Sequence, residues 1–347
     1  MFKSSKIAIV LMMLLAIACV EPLDITFKSS LKILVVDGLL TNEDVQQKIK
    51  IQATVQQEET VYNTEIPNLK VELLVNSKER ILLSNEGEGI YALPPTFRAE
   101  TGNFYQLIFK KPDGTTYESD EQKMPNVIKI DKIYDEFEVN GILKGESKIP
   151  ANYLYLDFRD PANEQNYYLW TWNLWERQYV CKTEYNTDLY CRENCWEILH
   201  NENWNIFSDI YSKGKTIEGK LVAKIPYYQF GGALFEVKQL GISANAFRFL
   251  KLINDQIQRT GTLVDTPPAA IVGNVKNITN PDEQISGFFM VASASKEQYW
   301  LSRDNASGKA KPIGLLGRGV NPSPFSITYP CIAGPNRTPN KPQGWLN

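Results

Sequence analysis

The chain has 347 residues and a formal net charge of -3, with 43% hydrophobic and 22% charged residues. These values are typical of folded globular proteins and exclude a largely disordered chain. The near-neutral balance also excludes a nucleic-acid-binding surface, because phosphate binding needs a concentrated excess of Lys and Arg. The length is sufficient for two domains with their own hydrophobic cores.

The first residues have the pattern of an export signal. Two lysines precede an apolar run at residues 7–17, which is shorter than the ~20 residues that a membrane-spanning helix needs. Residues 15–19 (Leu-Ala-Ile-Ala-Cys) resemble a lipobox, although the position three before the cysteine is usually Leu. We therefore expect residues 1–18 to be a lipoprotein signal peptide. Cys19 is expected to carry the lipid anchor, with palmitate among its acyl chains. The alternative is an ordinary signal peptide with a chance cysteine.

The next segment, residues 19–31, is predicted to be a lipid-anchored linker that leads into β-structure. In residues 48–55, apolar Ile, Ala and Val alternate with Lys, Gln and Thr, which is typical of a strand with one buried face. Strands at similar spacing are predicted at 33–40, 70–75, 80–83, 89–93, 104–110 and 115–119. Because no helix intervenes, residues 32–125 are predicted to form an immunoglobulin-like or transthyretin-like β-sandwich.

A proline-containing seam at residues 124–126 separates this sandwich from the second half of the chain. Residues 126–347 are predicted to form a larger β-rich domain with one main α-helix, so the whole protein is expected to be mainly β. The helix is predicted over residues 243–258, with Ser243 as its N-cap and one apolar face. Strands of this half are predicted at 153–158, 167–175 and 285–294.

The second half is rich in aromatic residues. The strand around Trp172 places Trp170 and Trp172 on one face, which we interpret as core, and Trp175 on the other. Exposed aromatic side chains are the groups on which sugars and partner proteins stack. Trp175, Trp196 and Trp204 are therefore candidate contacts for a partner or ligand.

Cysteine chemistry follows from the expected export. Beyond the lipobox the chain has four cysteines: Cys181, Cys191, Cys195 and Cys331. An oxidising compartment favours disulfides, for which four cysteines allow three pairings, and free thiols are the alternative. A zinc site is disfavoured, because a closed site needs four Cys or His ligands and His200 is the only histidine. No metal or other cofactor is predicted.

No catalytic set is predicted either. A triad needs a base, most often histidine, and the residues around His200 contain no nucleophile motif. Nothing in the sequence selects a pair among the carboxylates, since strand-edge or turn positions explain Asp157, Asp160, Asp265 and Glu297. We expect a protein that is not an enzyme. The alternative is a surface hydrolase that acts on glycan or peptide through a carboxylate pair.

Several segments occur in an order that is characteristic of one family: 19–22 (Cys-Val-Glu-Pro), 34–39 (Leu-Val-Val-Asp-Gly-Leu), 167–170 (Tyr-Tyr-Leu-Trp), 243–249 (Ser-Ala-Asn-Ala-Phe-Arg-Phe) and 341–345 (Lys-Pro-Gln-Gly-Trp). Together they resemble the DUF4249 family of Bacteroidota lipoproteins over essentially the whole mature chain. Family members often carry a second cysteine shortly after the position of Cys331, where this chain has Ile332. Cys331 is therefore expected to pair with one of the middle cysteines or to stay free.

The resemblance implies a cellular setting more than a chemistry. Members are typically encoded beside TonB-dependent outer-membrane receptors. This implies an outer-membrane, surface-exposed lipoprotein that acts as a non-enzymatic accessory, for binding or as a scaffold, in a TonB-dependent nutrient-uptake system. The implied partners are the receptor and, through the lipid anchor, the membrane.

Overall fold

A computed structural model of the protein describes residues 32–57, 60–180, 193–257, 271–315 and 330–346. Within these ranges the protein is mainly β, with twenty strands and one α-helix, as predicted. The predicted signal peptide and linker, residues 1–18 and 19–31, lie outside the described residues. So do Cys181, Cys191 and Asp265.

The strands are β1 Lys32–Thr41, β2 Lys48–Gln57, β3 Thr60–Glu65, β4 Lys70–Val75, β5 Glu79–Leu82, β6 Ser84–Gly87, β7 Ile90–Ala92, β8 Phe104–Lys110, β9 Thr116–Ser119, β10 Gln122–Lys123, β11 Ile130–Lys144, β12 Ser147–Arg159, β13 Tyr167–Val180, β14 Glu193–His200, β15 Asn205–Ser208, β16 Thr216–Pro226, β17 Ala233–Ile242, β18 Val275–Asn277, β19 Ile285–Leu301 and β20 Arg337–Thr338. The helix, α1, spans Ala244–Ile257. In the described ranges the strands form three sheets.

The N-terminal part is a sandwich of two of these sheets. The large sheet has the order β20-β14-β13-β17-β19-β1-β2-β7-β6, and the second has the order β18-β9-β8-β4-β5. Val36 and Ile51 of the large sheet are buried in one core with Leu73, Leu107 and Phe109 of the second. Burial of each such side chain stabilises the fold by roughly 1.5–3 kcal/mol. This packing confirms the predicted sandwich.

The large sheet runs through both predicted segments, residues 32–125 and 126–347. Strand β1 lies parallel to β19, with Leu34 opposite Ile285. Strand β18 pairs antiparallel with β9 of the second sheet. Late strands therefore complete the N-terminal sandwich. The division of the chain at residue 125 stays a prediction.

The C-terminal part covers both faces of the large sheet. On one face lies the small sheet, with the order β11-β12-β16, and Phe158 of β12 packs there against Tyr168 and Trp170 of β13. This confirms that the Trp170 face is core. On the opposite face, α1 buries Ala246 and Leu250 against the sheet.

The start of α1 is as the sequence predicts. The Oγ of Ser243 accepts a hydrogen bond from the backbone N–H of Ala246 at 3.2 Å, which is the contact of an N-cap serine. Among the described residues no helix has both the length and the apolar character that a membrane crossing requires.

Candidate functional site

The three candidate contact tryptophans lie in different surroundings. Trp196 is 5% exposed and is therefore buried, which differs from the prediction of an exposed contact. Trp175 lies on the opposite face from Trp170, as predicted, but is partly buried against Trp196. Trp204 is 39% exposed. Of the three, only Trp204 has an exposed side chain.

Trp175 and Trp196 belong to a tryptophan cluster, which we define as Trp175, Trp196, Leu234, Trp300 and Trp345. Strand register aligns its members, since Leu234 of β17 is opposite both Trp175 of β13 and Trp300 of β19. The ring of Trp345 covers the cluster edge-on, with centroids 5.9 Å from Trp196 and 5.1 Å from Trp300. The C-terminal residues therefore close this face.

Residues 330–346, the C-terminal segment, are fastened to strand β14. Cys331 forms a disulfide with Cys195 across 136 positions of sequence. Beside it Arg337 forms an ion pair with Glu197. The carbonyl oxygen of Pro335 lies 3.2 Å from Nε2 of His200, at the end of β14. These contacts hold β14 in place up to His200, its last residue, after which the connection to β15 begins.

An open cleft begins where β14 ends. Strands β14 and β15 pair with different stretches of one edge of β13, namely residues 173–180 and 167–170, and residues 201–204 connect them. The cleft lies between this connection and strand β16 of the small sheet. Its volume is about 900 Å³, within the ~300–1,000 Å³ range that is typical of ligand pockets.

We call this the amide cleft, because four asparagines and two tryptophans are prominent in its lining: Trp172, Asn201, Asn203, Trp204, Asn205 and Asn254. Trp204 lies beside the amides in the local sequence Asn201-Glu202-Asn203-Trp204-Asn205. The sequence prediction included Trp204 but missed the amides. The sequence signal that could have indicated these amides is the asparagine at every second position, 201, 203 and 205, beside Trp204.

Hydrogen bonds to the backbone hold the cleft walls in place. Oδ1 of Asn201 accepts from the N–H of Trp172 at 3.1 Å, which fixes the connection to β13. Nδ2 of Asn205 donates to the carbonyl of Leu221 at 2.9 Å, which joins β15 to β16. Nδ2 of Asn254 donates to the carbonyl of Trp204 at 2.8 Å, which ties the connection to α1. The cleft is therefore built before any ligand enters.

Other polar groups in the cleft remain available. The side-chain amide of Asn203 and the hydroxyl of Tyr228 have no hydrogen-bond partner among the described residues, and both residues line the cleft. Burial, and then the nearby carboxylates of Glu176 and Glu202, raise the pKa of Tyr228. The hydroxyl therefore stays neutral and keeps a proton to donate.

The charge in the cleft is balanced. Of the described residues that line it, Glu202 is the one acid, Lys224 is the one lysine or arginine, and His200 adds an imidazole whose nitrogens lie 2.7 Å from Oδ1 of Asn173 and 3.2 Å from the carbonyl oxygen of Pro335. The ammonium of Lys224 lies 4.6 Å from the ring centre of Tyr153, a cation–π distance. No concentrated field of either sign forms along these walls.

A pair of carboxyl groups occurs elsewhere and is buried. Asp160 accepts hydrogen bonds from the Tyr168 hydroxyl and from the backbone N–H of Gly214. Asp209 accepts from the backbone N–H of Asn166 at 2.9 Å. Burial, and further the charge of Asp160, raise the pKa of Asp209. Asp160 lies directly after β12, in the connection where a turn residue was predicted, and it is buried there as an acceptor.

Within the described ranges no three His, Cys, Asp or Glu side chains are grouped closely enough to hold a metal ion.

The fold and the cleft define a multi-sheet β protein with an open cleft of ligand-pocket size. Residues 20–298 match the family model described as a domain of unknown function (DUF4249), and the chain belongs to this family. No curated protein matches the chain. The match includes the strands of the amide cleft and ends before the C-terminal segment.

Proposed function

We propose that the protein is a lipoprotein of the outer membrane, anchored through Cys19 and exposed at the cell surface. In this proposal it acts as a non-enzymatic binding component of a TonB-dependent nutrient-uptake system. The amide cleft is the ligand site, and the receptor is the partner. The observation that carries the proposal is this preformed, open cleft with an exposed tryptophan in its lining.

The surroundings of the carboxyl groups also support a binding role. Glycosidases place two carboxyl groups on either side of the scissile bond, roughly 5–10 Å apart, in a site that substrate can enter. Asp160 and Asp209 are both buried, and backbone N–H groups occupy oxygens of each. In the amide cleft, Glu202 is the lining carboxylate among the described residues. The hydrolase alternative therefore has less support than binding.

The anchor and the partner are tested together in the native host. Tagged wild-type protein and Cys19→Ala are fractionated, washed with high salt and purified from solubilised outer membranes. The wild type should stay with the membrane, because several acyl chains anchor stably, and should co-purify with a TonB-dependent receptor. Cys19→Ala should remain unprocessed or leave the membrane fraction.

Normal processing and membrane association of Cys19→Ala would contradict the anchor. Repeated purification of the wild type without any TonB-dependent receptor would contradict the uptake role. External protease digestion of intact cells tests the surface location, since a periplasmic protein would be protected until the outer membrane is permeabilised.

A further inference from the structure

We propose that the ligand of the amide cleft is a neutral oligosaccharide. This inference rests on the proposed role of the cleft as a ligand site and adds the chemical class of the ligand. Three properties of the cleft carry it: an aromatic platform, uncharged hydrogen-bonding groups and balanced charge.

The aromatic platform is Trp204, with Trp172 deeper in the cleft. Sugar rings have C–H faces that pack against an indole ring, while their hydroxyl edges remain free for hydrogen bonds. A residue that is 39% exposed offers such a face before the ligand arrives. The hydrogen bond from Asn254 to the backbone carbonyl of Trp204 fixes the backbone that carries the platform, so little backbone entropy is lost there on binding.

Uncharged polar groups surround this platform. An amide both donates and accepts, which matches two neighbouring hydroxyls of a sugar, each of which also donates and accepts. Asn203 has no partner among the described side chains and backbone groups, so its amide can make both bonds with a ligand. The neutral hydroxyl of Tyr228 adds a further donor.

Other ligand classes fit less well. An anionic ligand needs an excess of Lys and Arg, whereas Lys224 is the one such residue among the described lining residues and Glu202 offsets it. A purely apolar ligand would bury the free amide of Asn203 without a partner, at a cost of about 1–3 kcal/mol. A peptide that added a strand to β16 would need its edge, but Asn205 occupies the carbonyls of Leu221 and Val222 there.

The test measures binding of five hexasaccharides, built from glucose in α or β linkage, mannose, xylose or N-acetylglucosamine, by titration calorimetry. The full mature protein is used in detergent. At least one hexasaccharide should bind, and Trp204→Ala should weaken that binding roughly tenfold or more, as loss of an aromatic anchor does. Trp204→Phe should retain more affinity than Trp204→Ala, since it keeps an aromatic face. Asn203→Ala should also weaken binding.

Tyr211→Ala is the matched control, because Tyr211 is 91% exposed and does not line the cleft. Its affinity should equal that of the wild type, and circular dichroism should show that every variant is folded. Absence of binding to all five hexasaccharides would overturn the inference, as would equal affinities of the wild type, Trp204→Ala and Asn203→Ala. Binding of unstructured peptides that Trp204→Ala abolishes would overturn it in favour of a peptide site. Receptor co-purification without saccharide binding would leave the uptake role intact and reject this ligand class alone.

Discussion

Trp196 and Trp204 lie close in sequence, but Trp196 is buried in the fold and Trp204 is exposed. Trp196 is covered by Trp345 of the C-terminal segment, whereas Trp204 lies in the connection between two strands and lines an open cleft. The chemistry of the side chain is the same in both places. What differs is whether a distant part of the chain covers it, so aromatic content alone does not locate a contact surface.

The comparison gives a simple expectation for variants. Changes on covered surfaces should mainly lower the free energy of unfolding, and changes in the amide cleft should mainly lower affinity, with a smaller loss of stability. The predictions below test this separation and are ordered by the expected size of the effect.

The largest stability loss is expected at a buried ion pair. Glu176 of β13 and Arg303 after β19 have fully buried side chains, and Gln229 donates to the same carboxylate at 2.6 Å. Glu176→Ala would leave the guanidinium buried without its partner and should lower the free energy of unfolding by about 3–5 kcal/mol. Urea denaturation measures this. A loss below about 1 kcal/mol would contradict the assignment of a closed, buried pair.

The tryptophan cluster offers a matched pair of substitutions. Trp345→Ala should cost about 3 kcal/mol, because it removes a large buried ring and uncovers Trp196. Trp204→Ala should cost less, about 1–2 kcal/mol, because the ring it removes is 39% exposed and only partly packed. Both are compared by chemical denaturation under identical conditions. Equal losses would contradict the difference in burial between Trp345 and Trp204.

The disulfide should contribute a comparable amount. Cys331→Ala opens the bond to Cys195 and should lower the free energy of unfolding by about 2–4 kcal/mol, the typical range for a disulfide, whereas the chain-entropy relation sets an upper value of about 5 kcal/mol for a loop of this length. The thermal unfolding temperature of the variant, compared with that of the wild type without reductant, reports the effect. An unchanged temperature would mean that the C-terminal segment is held by its other contacts alone.

A smaller effect depends on pH. Burial raises the pKa of Asp209 above that of an aspartate in the unfolded chain, so the folded protein binds this proton more tightly than the unfolded chain. The stability from this group is therefore complete below the unfolded pKa of about 3.9 and is lost as pH rises through the folded pKa. Asp209→Asn should flatten that decline. Urea titrations at several pH values check this, and an identical pH profile in the variant would refute it.

The sequence predicted the regular parts of the fold because their reasons are local. Alternation in β2 and the N-cap of α1 follow from neighbouring residues, and both are present. Strand β17 was missed as a complete strand because both of its faces are largely buried, so its residues do not alternate. Strand β11 was missed because most of it is exposed and rich in charged residues.

The candidate site was predictable only in part, for a physical reason. Trp204 could be selected by residue type. Asn203 could not, because its free amide becomes part of a cleft only when β14 and β15 pair along one edge of β13. The burial of Trp196 depends on Trp345, which lies far away in sequence. Long-range packing of this kind leaves no local pattern to detect.

Native mass spectrometry of the intact protein separates ligand binding at the amide cleft from ligand cleavage, because one spectrum reports occupancy, ligand mass and ligand integrity. Wild type, Trp204→Ala and Tyr211→Ala are incubated with an equimolar mixture of the five neutral hexasaccharides. The account predicts one uncleaved hexasaccharide bound to the wild type and to Tyr211→Ala, with occupancy strongly reduced in Trp204→Ala. Shorter saccharide products, or equal occupancy in all three proteins, would contradict a non-enzymatic binding role centred on the amide cleft.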